Sequence, residues 1–190
     1  MYFFRFNYLT HFTKSNKNES VLQVLINILI ECKLKGSTTE SGYIIGDTPA
    51  VCFQDSTPYG LAQNLLHEQQ YREELGGKNR YQPFGISFSK FYLYNKGARP
   101  VIYEKKDMAK SFLKQSEWWR IVNFDLFDIN NIIDWSHERE WRLPHELDFE
   151  IENAYVFLPN STYYTAFIED CPLDILKKIK GINVLSVILK

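Results

Sequence analysis

The segment Trp135-Ser-His-Glu-Arg-Glu-Trp-Arg-Leu-Pro144 constrains the fold more than any other part of this chain. Its period is two. On a strand, Glu138, Glu140 and Arg142 share one face, while Arg139, Trp141 and Leu143 share the other. Trp141 and Leu143 suit burial, so the Glu-x-Glu-x-Arg face is expected to point into a cleft or into solvent. A strand carrying that much charge needs neighbours that build a pocket or an ion-pair ladder around it.

The rest of the chain supplies them. Tyr2 to Thr13 is aromatic and β-branched enough for a strand, with Leu9, His11 and Thr13 on one face and Thr10 and Phe12 on the other. Ser20 is placed to cap a helix through Leu22, Leu25, Ile26, Leu29 and Ile30, ending near Gly36 with Lys33 and Lys35 at its carboxyl end. After a polar loop, Ala50 to Asp55 reads as a short strand, and Pro58 starts a second helix from Tyr59 to Leu75. Phe84 to Ser89 alternates large and small residues as a central strand does. A turn of helix through Phe91 and Leu93 leads to Gly97, and Arg99 to Tyr103 is a further strand that Pro100 confines to an edge or a strand start. Lys105 to Gln115 predicts an amphipathic helix with Met108 and Phe112 inward; Val122 to Phe127 reads as mostly buried, of either type. Phe149 to Leu158 is strand-like around Ala154 to Leu158. Helices then follow from Pro159-Asn160-Ser161 to about Glu169 and from Pro172 to Lys180, with Gly181 as a cap and Val184 to Ile188 as a closing strand. The order implies one α+β domain over residues 1–190, with a mixed or antiparallel sheet flanked by helices.

Composition excludes some classes. With 45% hydrophobic and 16% aromatic residues the chain folds rather than remaining disordered. Its 22 basic and 23 acidic residues give no global pull towards nucleic acid or anionic membrane. The most apolar run, Val21 to Ile30, is too short to span a bilayer, and the start lacks the basic and apolar regions of a secretory signal. Cys32, Cys52 and Cys171 are far apart, with no CxxC pair, and no HExxH or His/Asp spacing suggests a metal. A cytoplasmic protein without a metal is expected.

Four segments in this order carry a resemblance: Leu9-Thr-His-Phe-Thr13; Val51-Cys-Phe-Gln-Asp55; Phe84-Gly-Ile-Ser-Phe-Ser-Lys90 with Arg99-Pro-Val-Ile-Tyr103; and Glu138-Arg-Glu-Trp-Arg142. From about Tyr8 to Arg142 the chain resembles the AbiGi-type abortive-infection proteins of phage resistance, with related bacterial domains that end in Glu-x-Glu-Trp-Arg. That group is similar to ADP-ribosyltransferases, whose split sheet cradles NAD. The resemblance implies a toxin or effector that modifies a macromolecule, which could be protein, DNA or RNA, with NAD as substrate. It places Glu140 as the catalytic carboxylate and Glu138 as the upstream acid. His11 falls at the adenosine-ribose position with Thr13 beside it, Ser87 at a small-hydroxyl position, and Tyr59 or Tyr103 at the nicotinamide-stacking position. The Ser-Thr-Ser motif of the transferases is absent.

The chemistry suits those residue types. Cleavage of the nicotinamide–ribose bond passes through an oxocarbenium-like state that a fixed carboxylate stabilises. A second carboxylate on the same face accepts the nucleophile's proton, and Arg142 either pairs with Glu140 or meets the pyrophosphate. Plainer roles compete at each position. Glu138, Glu140 and Arg142 also fit an exposed charge ladder, His11 a structural histidine, and Asp55 a turn acid preceding the helix after Pro58. The alternative function is a non-catalytic antitoxin or regulatory partner from the same defence operon, which predicts an exposed apolar patch. A nuclease has less support, since no paired metal-nuclease acids stand out.

Overall fold

A computed structural model gives the fold and describes residues 7–57, 59–60 and 82–187. The strands in chain order are β1 (Tyr8–Phe12), β2 (Lys33–Lys35), β3 (Ala50–Gln54), β4 (Gly85–Ser89), β5 (Arg99–Pro100), β6 (Ile102–Glu104), β7 (Ile121–Asn123), β8 (Glu140–Pro144), β9 (Glu146–Asp148), β10 (Tyr155–Leu158) and β11 (Gly181–Val184). The α-helices are α1 (Val21–Glu31), α2 (Lys90–Asn95), α3 (Lys106–Phe112), α4 (Ser161–Asp170) and α5 (Leu173–Leu176). The architecture is α+β with mixed strand pairing. The described residues fall into two compact units: those within Met1–Lys33, Ser56–Ser89 and Asp148–Lys190 form one, and Leu34–Asp55 with Lys90–Leu147 form the other.

In the first unit the strands run in the order β11-β10-β4-β1. β4 pairs antiparallel with both β1 and β10, and β10 pairs parallel with β11. The expectation of a central strand at Phe84–Ser89 therefore holds. Both faces of β4 are buried because Ile86 and Phe88 alternate with Ser87 and Gly85, and all four lie in the interior. Gly85 has a steric reason: a Cβ there would lie 2.6 Å from the carbonyl oxygen of His11 and 3.1 Å from the Phe12 ring. α1 forms where its apolar spacing predicts, burying Val21, Leu22, Leu25, Ile26 and Leu29. Its start is capped by Ser20, whose Oγ accepts from the Gln23 N–H at 3.2 Å.

Several boundaries differ from expectation. α1 stops at Glu31, because Cys32 adopts a left-handed φ of 50° and Lys33–Lys35 continue as a strand. Leu34 is wholly buried, so the Lys-Leu-Lys alternation outweighs the basic residues' suitability for a helix end. At the carboxyl end the helix is only Leu173–Leu176, and the strand runs Gly181–Val184, ending where the expected Val184–Ile188 strand was to begin; Leu185–Val187 form a 3₁₀ turn instead. Gly181 is not a helix cap. It faces Tyr155 across the ladder, and a Cβ would lie 3.1 Å from that ring. Of the helix expected from Tyr59 to Leu75 only Tyr59 and Gly60 are described, both helical; the rest of it and the first residues of the expected opening strand lie outside the described residues.

In the second unit β8 pairs antiparallel with β3 on one side and β5 on the other, and β6 pairs parallel with β7. Pro100 lies in the edge strand β5, where its missing N–H costs no ladder bond. The Arg99–Tyr103 strand is broken at Val101, whose N–H donates to the carbonyl of Glu140 at 3.1 Å. Trp118 and Trp119 belong to a 3₁₀ turn, Gln115–Arg120. In α3 the buried residue is Ala109; Met108 and Phe112 face solvent, contrary to expectation. Val122 is buried, but Leu126 and Phe127 are not. The chain leaves the core after β7 and carries them into an exposed loop.

Candidate functional site

Asp134 starts the motif region: its Oδ1 accepts from the Ser136 N–H at 2.8 Å and from the Ser136 hydroxyl at 2.6 Å, opening a 3₁₀ turn over Ser136–Glu138. Arg139 then takes a left-handed φ of 49°, and only at Glu140 does the strand begin. Glu138 is therefore not the preceding residue on the same strand face, as the alternation had implied. It is buried at the end of the turn.

The faces of β8 are also occupied differently from expectation. In the register Cys52 lies opposite Arg142 and Gln54 opposite Glu140, so these four side chains share a face. Trp141 and Leu143 share the other with Phe53 and Val51. The charged face is covered, not open: Glu140 is 8% and Arg142 3% exposed, while Trp141 is only half-buried. Lys90 lies over the Trp141 ring at 5.6 Å.

What makes this burial tolerable is complete pairing. Arg142 Nε donates to Glu140 Oε1 at 2.8 Å and Nη2 to Oε2 at 3.3 Å, a two-pronged ion pair. Nη1 donates to the carbonyls of Trp119 at 2.8 Å and Ile121 at 3.1 Å, and Nη2 also donates to the carbonyl of Tyr43 at 3.2 Å. A guanidinium has five N–H donors, and all five are used. Burial works against the charge on Arg142, but Glu140 beside it holds the guanidinium charged. Burial also pushes the Cys52 thiol well above its usual range, and Glu140 adds to that rise. Tyr103 supports the strand from beside it, its phenolic oxygen accepting the Glu140 backbone N–H at 2.8 Å. Burial of that phenol, with the nearby glutamates adding to it, raises its pKa to about 12.

Two further polar residues complete the region. Asp55 accepts from Lys90 at 2.8 Å and lies 3.6 Å from Arg139, so it is an ion-pair partner within this unit. Gln54 is 5% exposed, and neither its amide nitrogen nor its amide oxygen has a hydrogen-bond partner among the described residues. Sequence reasoning passed over Gln54. The only signal was its place in Val-Cys-Phe-Gln-Asp, which does not distinguish an exposed glutamine from a buried one. The same unit has an open cleft of about 390 Å³, lined by Thr48, Arg99, Ser116, Glu117, Trp119 and His145 among others.

The other expected site residues belong to the first unit. His11 pairs with Ile86, whereas Thr10 pairs with Ser87 and their hydroxyls are hydrogen-bonded. His11 and Ser87 therefore point to opposite faces of the β1–β4 ladder and do not line one wall. Thr13 is buried, its N–H bonded to the carbonyl of Phe84 at 2.9 Å, and Tyr59 is exposed. Thus Glu138, Glu140, Arg142 and Tyr103 are gathered in one unit, and His11, Thr13, Ser87 and Tyr59 belong to the other.

Among the described residues no group of three or more His, Cys, Asp or Glu side chains is arranged to hold a metal ion, and no helix is long and apolar enough to cross a membrane. Compared with protein-family models, with curated proteins and with solved structures, the chain matches none.

Proposed function

We propose that this chain is a non-catalytic component of a cytoplasmic phage-resistance system, an antitoxin-type or regulatory protein on an ADP-ribosyltransferase-like scaffold. The resemblance carried by the four ordered motifs supplies the context. The state of Glu140 carries the choice between partner and enzyme. A carboxylate that stabilises an oxocarbenium must face the ribose carbon. Both Glu140 oxygens are instead turned to Arg142, inside a face closed by Trp119, Ile121 and Tyr43. The exposed apolar loop after β7 is the kind of patch a partner protein would cover. The test is nicotinamide release from NAD by the purified chain, followed by chromatography. Release no faster than in buffer is expected, with Glu140→Gln indistinguishable; release that Glu140→Gln abolishes would refute the proposal.

One observation favours a second function, that of an NAD-dependent ADP-ribosyltransferase. The Gln54 amide is buried without a partner opposite Glu140, and it offers the donor and acceptor that a carboxamide such as that of nicotinamide would complement. In such an enzyme the Glu140–Arg142 pair opens when NAD binds, and Glu138 assists a macromolecular acceptor. Calorimetric titration with NAD separates the two: saturable binding lost in Gln54→Leu supports the transferase, and no heat above dilution supports the partner protein.

A further inference from the structure

The loop between β7 and β8 holds the most exposed apolar residues described in the molecule. Phe127 is 92% and Ile129 82% exposed, and Leu126 and Ile132 are each more than half exposed. Within 124–134, Phe-Asp-Leu-Phe-Asp-Ile-Asn-Asn-Ile-Ile-Asp, there is no lysine or arginine, and the three acids are Asp125, Asp128 and Asp134.

This loop is held in shape rather than frayed. Asp125 and Ile133 exchange both backbone hydrogen bonds at 2.9 Å, closing its neck. Asp125 Oδ1 accepts from the Phe127 N–H, Asp128 Oδ1 from the Asn130 N–H and Asp134 Oδ1 from the Ser136 N–H, each within 2.8–2.9 Å. Lys105 ties the neck to the start of α3, 3.0 Å from Asp125 and 5.0 Å from the Phe127 ring centre. A chain gains little by fixing four large apolar side chains in water. Fixing them lowers the ordering cost of binding something else.

We infer that the loop Asp125–Ile133 is a preorganised docking finger that seats Phe127 and Ile129 in an apolar groove, rimmed by lysine or arginine, on a partner protein. The inference rests on the proposed partner role and names the surface that performs it. Charge selects the occupant. With Asp125 paired to Lys105, an anionic membrane surface would repel Asp128 and Asp134, and a second copy docked through the same finger would bring two acidic rims together. A basic-rimmed groove satisfies both the apolar tip and the acids.

The experiment places the photo-crosslinking residue p-benzoylphenylalanine at position 127 of the full chain in its native host, with the same residue at position 91 for comparison. Phe91 is also exposed but belongs to α2. The adduct is identified by mass spectrometry, and that protein is then purified and titrated with the wild-type chain, Phe127→Asp, Ile129→Asp and Phe91→Asp. Expected are an adduct to one protein at a segment flanked by Lys or Arg, and affinity that weakens with salt. Phe127→Asp should reduce that affinity by roughly 30-fold or more, as for an aromatic anchor, with Phe91→Asp unchanged. Unaltered melting of each variant excludes misfolding as the cause. Adducts to lipid, to a second copy, or to nothing overturn the inference, as does affinity insensitive to Phe127. A partner captured only from position 91 removes the finger but leaves the proposed function standing. Glu140-dependent nicotinamide release removes the proposed function whatever the adduct.

Discussion

Arg142→Ala tests the central claim about the charged strand. The substitution leaves the Glu140 carboxylate, 8% exposed, without its counter-charge, and the carbonyls of Trp119, Ile121 and Tyr43 without their donor. Breaking a buried ion pair by removing one partner costs about 3–5 kcal/mol. The freed carbonyls push the cost towards the upper end, against a total stability on the order of 5–15 kcal/mol. In urea unfolding followed by tryptophan fluorescence, a loss of about 4 kcal/mol lowers the midpoint by roughly 1.5 M. Arg142→Lys keeps the charge but supplies three donors for five bonds, so about half that loss is expected. Replacing both partners, Glu140→Leu with Arg142→Met, should recover much of the loss, because the isolated charge is gone. If Arg142→Ala costs under about 1 kcal/mol, the pair behaves like a surface ladder and the sequestration of Glu140 is wrong.

Other outcomes follow from single contacts. Tyr103 has its folded pKa raised to about 12 from 10.0, so its protonated form is favoured by folding. That stability is fully present below pH 10 and is lost as pH rises from 10 through 12; Tyr103→Phe should flatten this part of the difference in a stability–pH profile. Gln54→Met removes an unpaired buried amide and should be neutral or stabilising by about 1 kcal/mol in thermal melts. A loss of that size would reveal a bound water or ligand on the amide. Ser20→Ala should cost about 1 kcal/mol through loss of the α1 cap, seen as a lower urea midpoint.

Much of the fold was legible because local chemistry and tertiary position agree in it. Ser20 and the Leu22–Ile30 spacing gave α1, the alternation in Phe84–Ser89 gave a central strand, and Pro100 gave an edge. Boundaries failed where a distant contact decides. Nothing local to Gly181 reveals that Tyr155 will lie against it, and nothing near Lys33 reveals that Leu34 is needed in the core. In the motif, Glu140 and Arg142 were correctly placed on one face, but which face is buried depends on carbonyls contributed by residues 43, 119 and 121. A glutamate in an alternating strand is usually solvated, and only those partners make its burial possible. Leu126 and Phe127 misled in the opposite direction, since apolar composition signals a core equally well when it forms a protruding tip.

The bond from Arg142 to the Tyr43 carbonyl also has a temporal side. It spans 99 residues of sequence, and the second unit is interrupted by a segment assigned to the first. During synthesis Ala50–Gln54 emerges long before its partner strand β8, and must wait with one edge unpaired until residue 142 is free to arrive. Contacts of such separation slow folding, and waiting strand edges are where chains pair wrongly. Closure of the guanidinium on its three carbonyls is thus a late event. A nascent chain stalled before Trp141 should be a substrate for proteases and chaperones in a way that the finished chain is not.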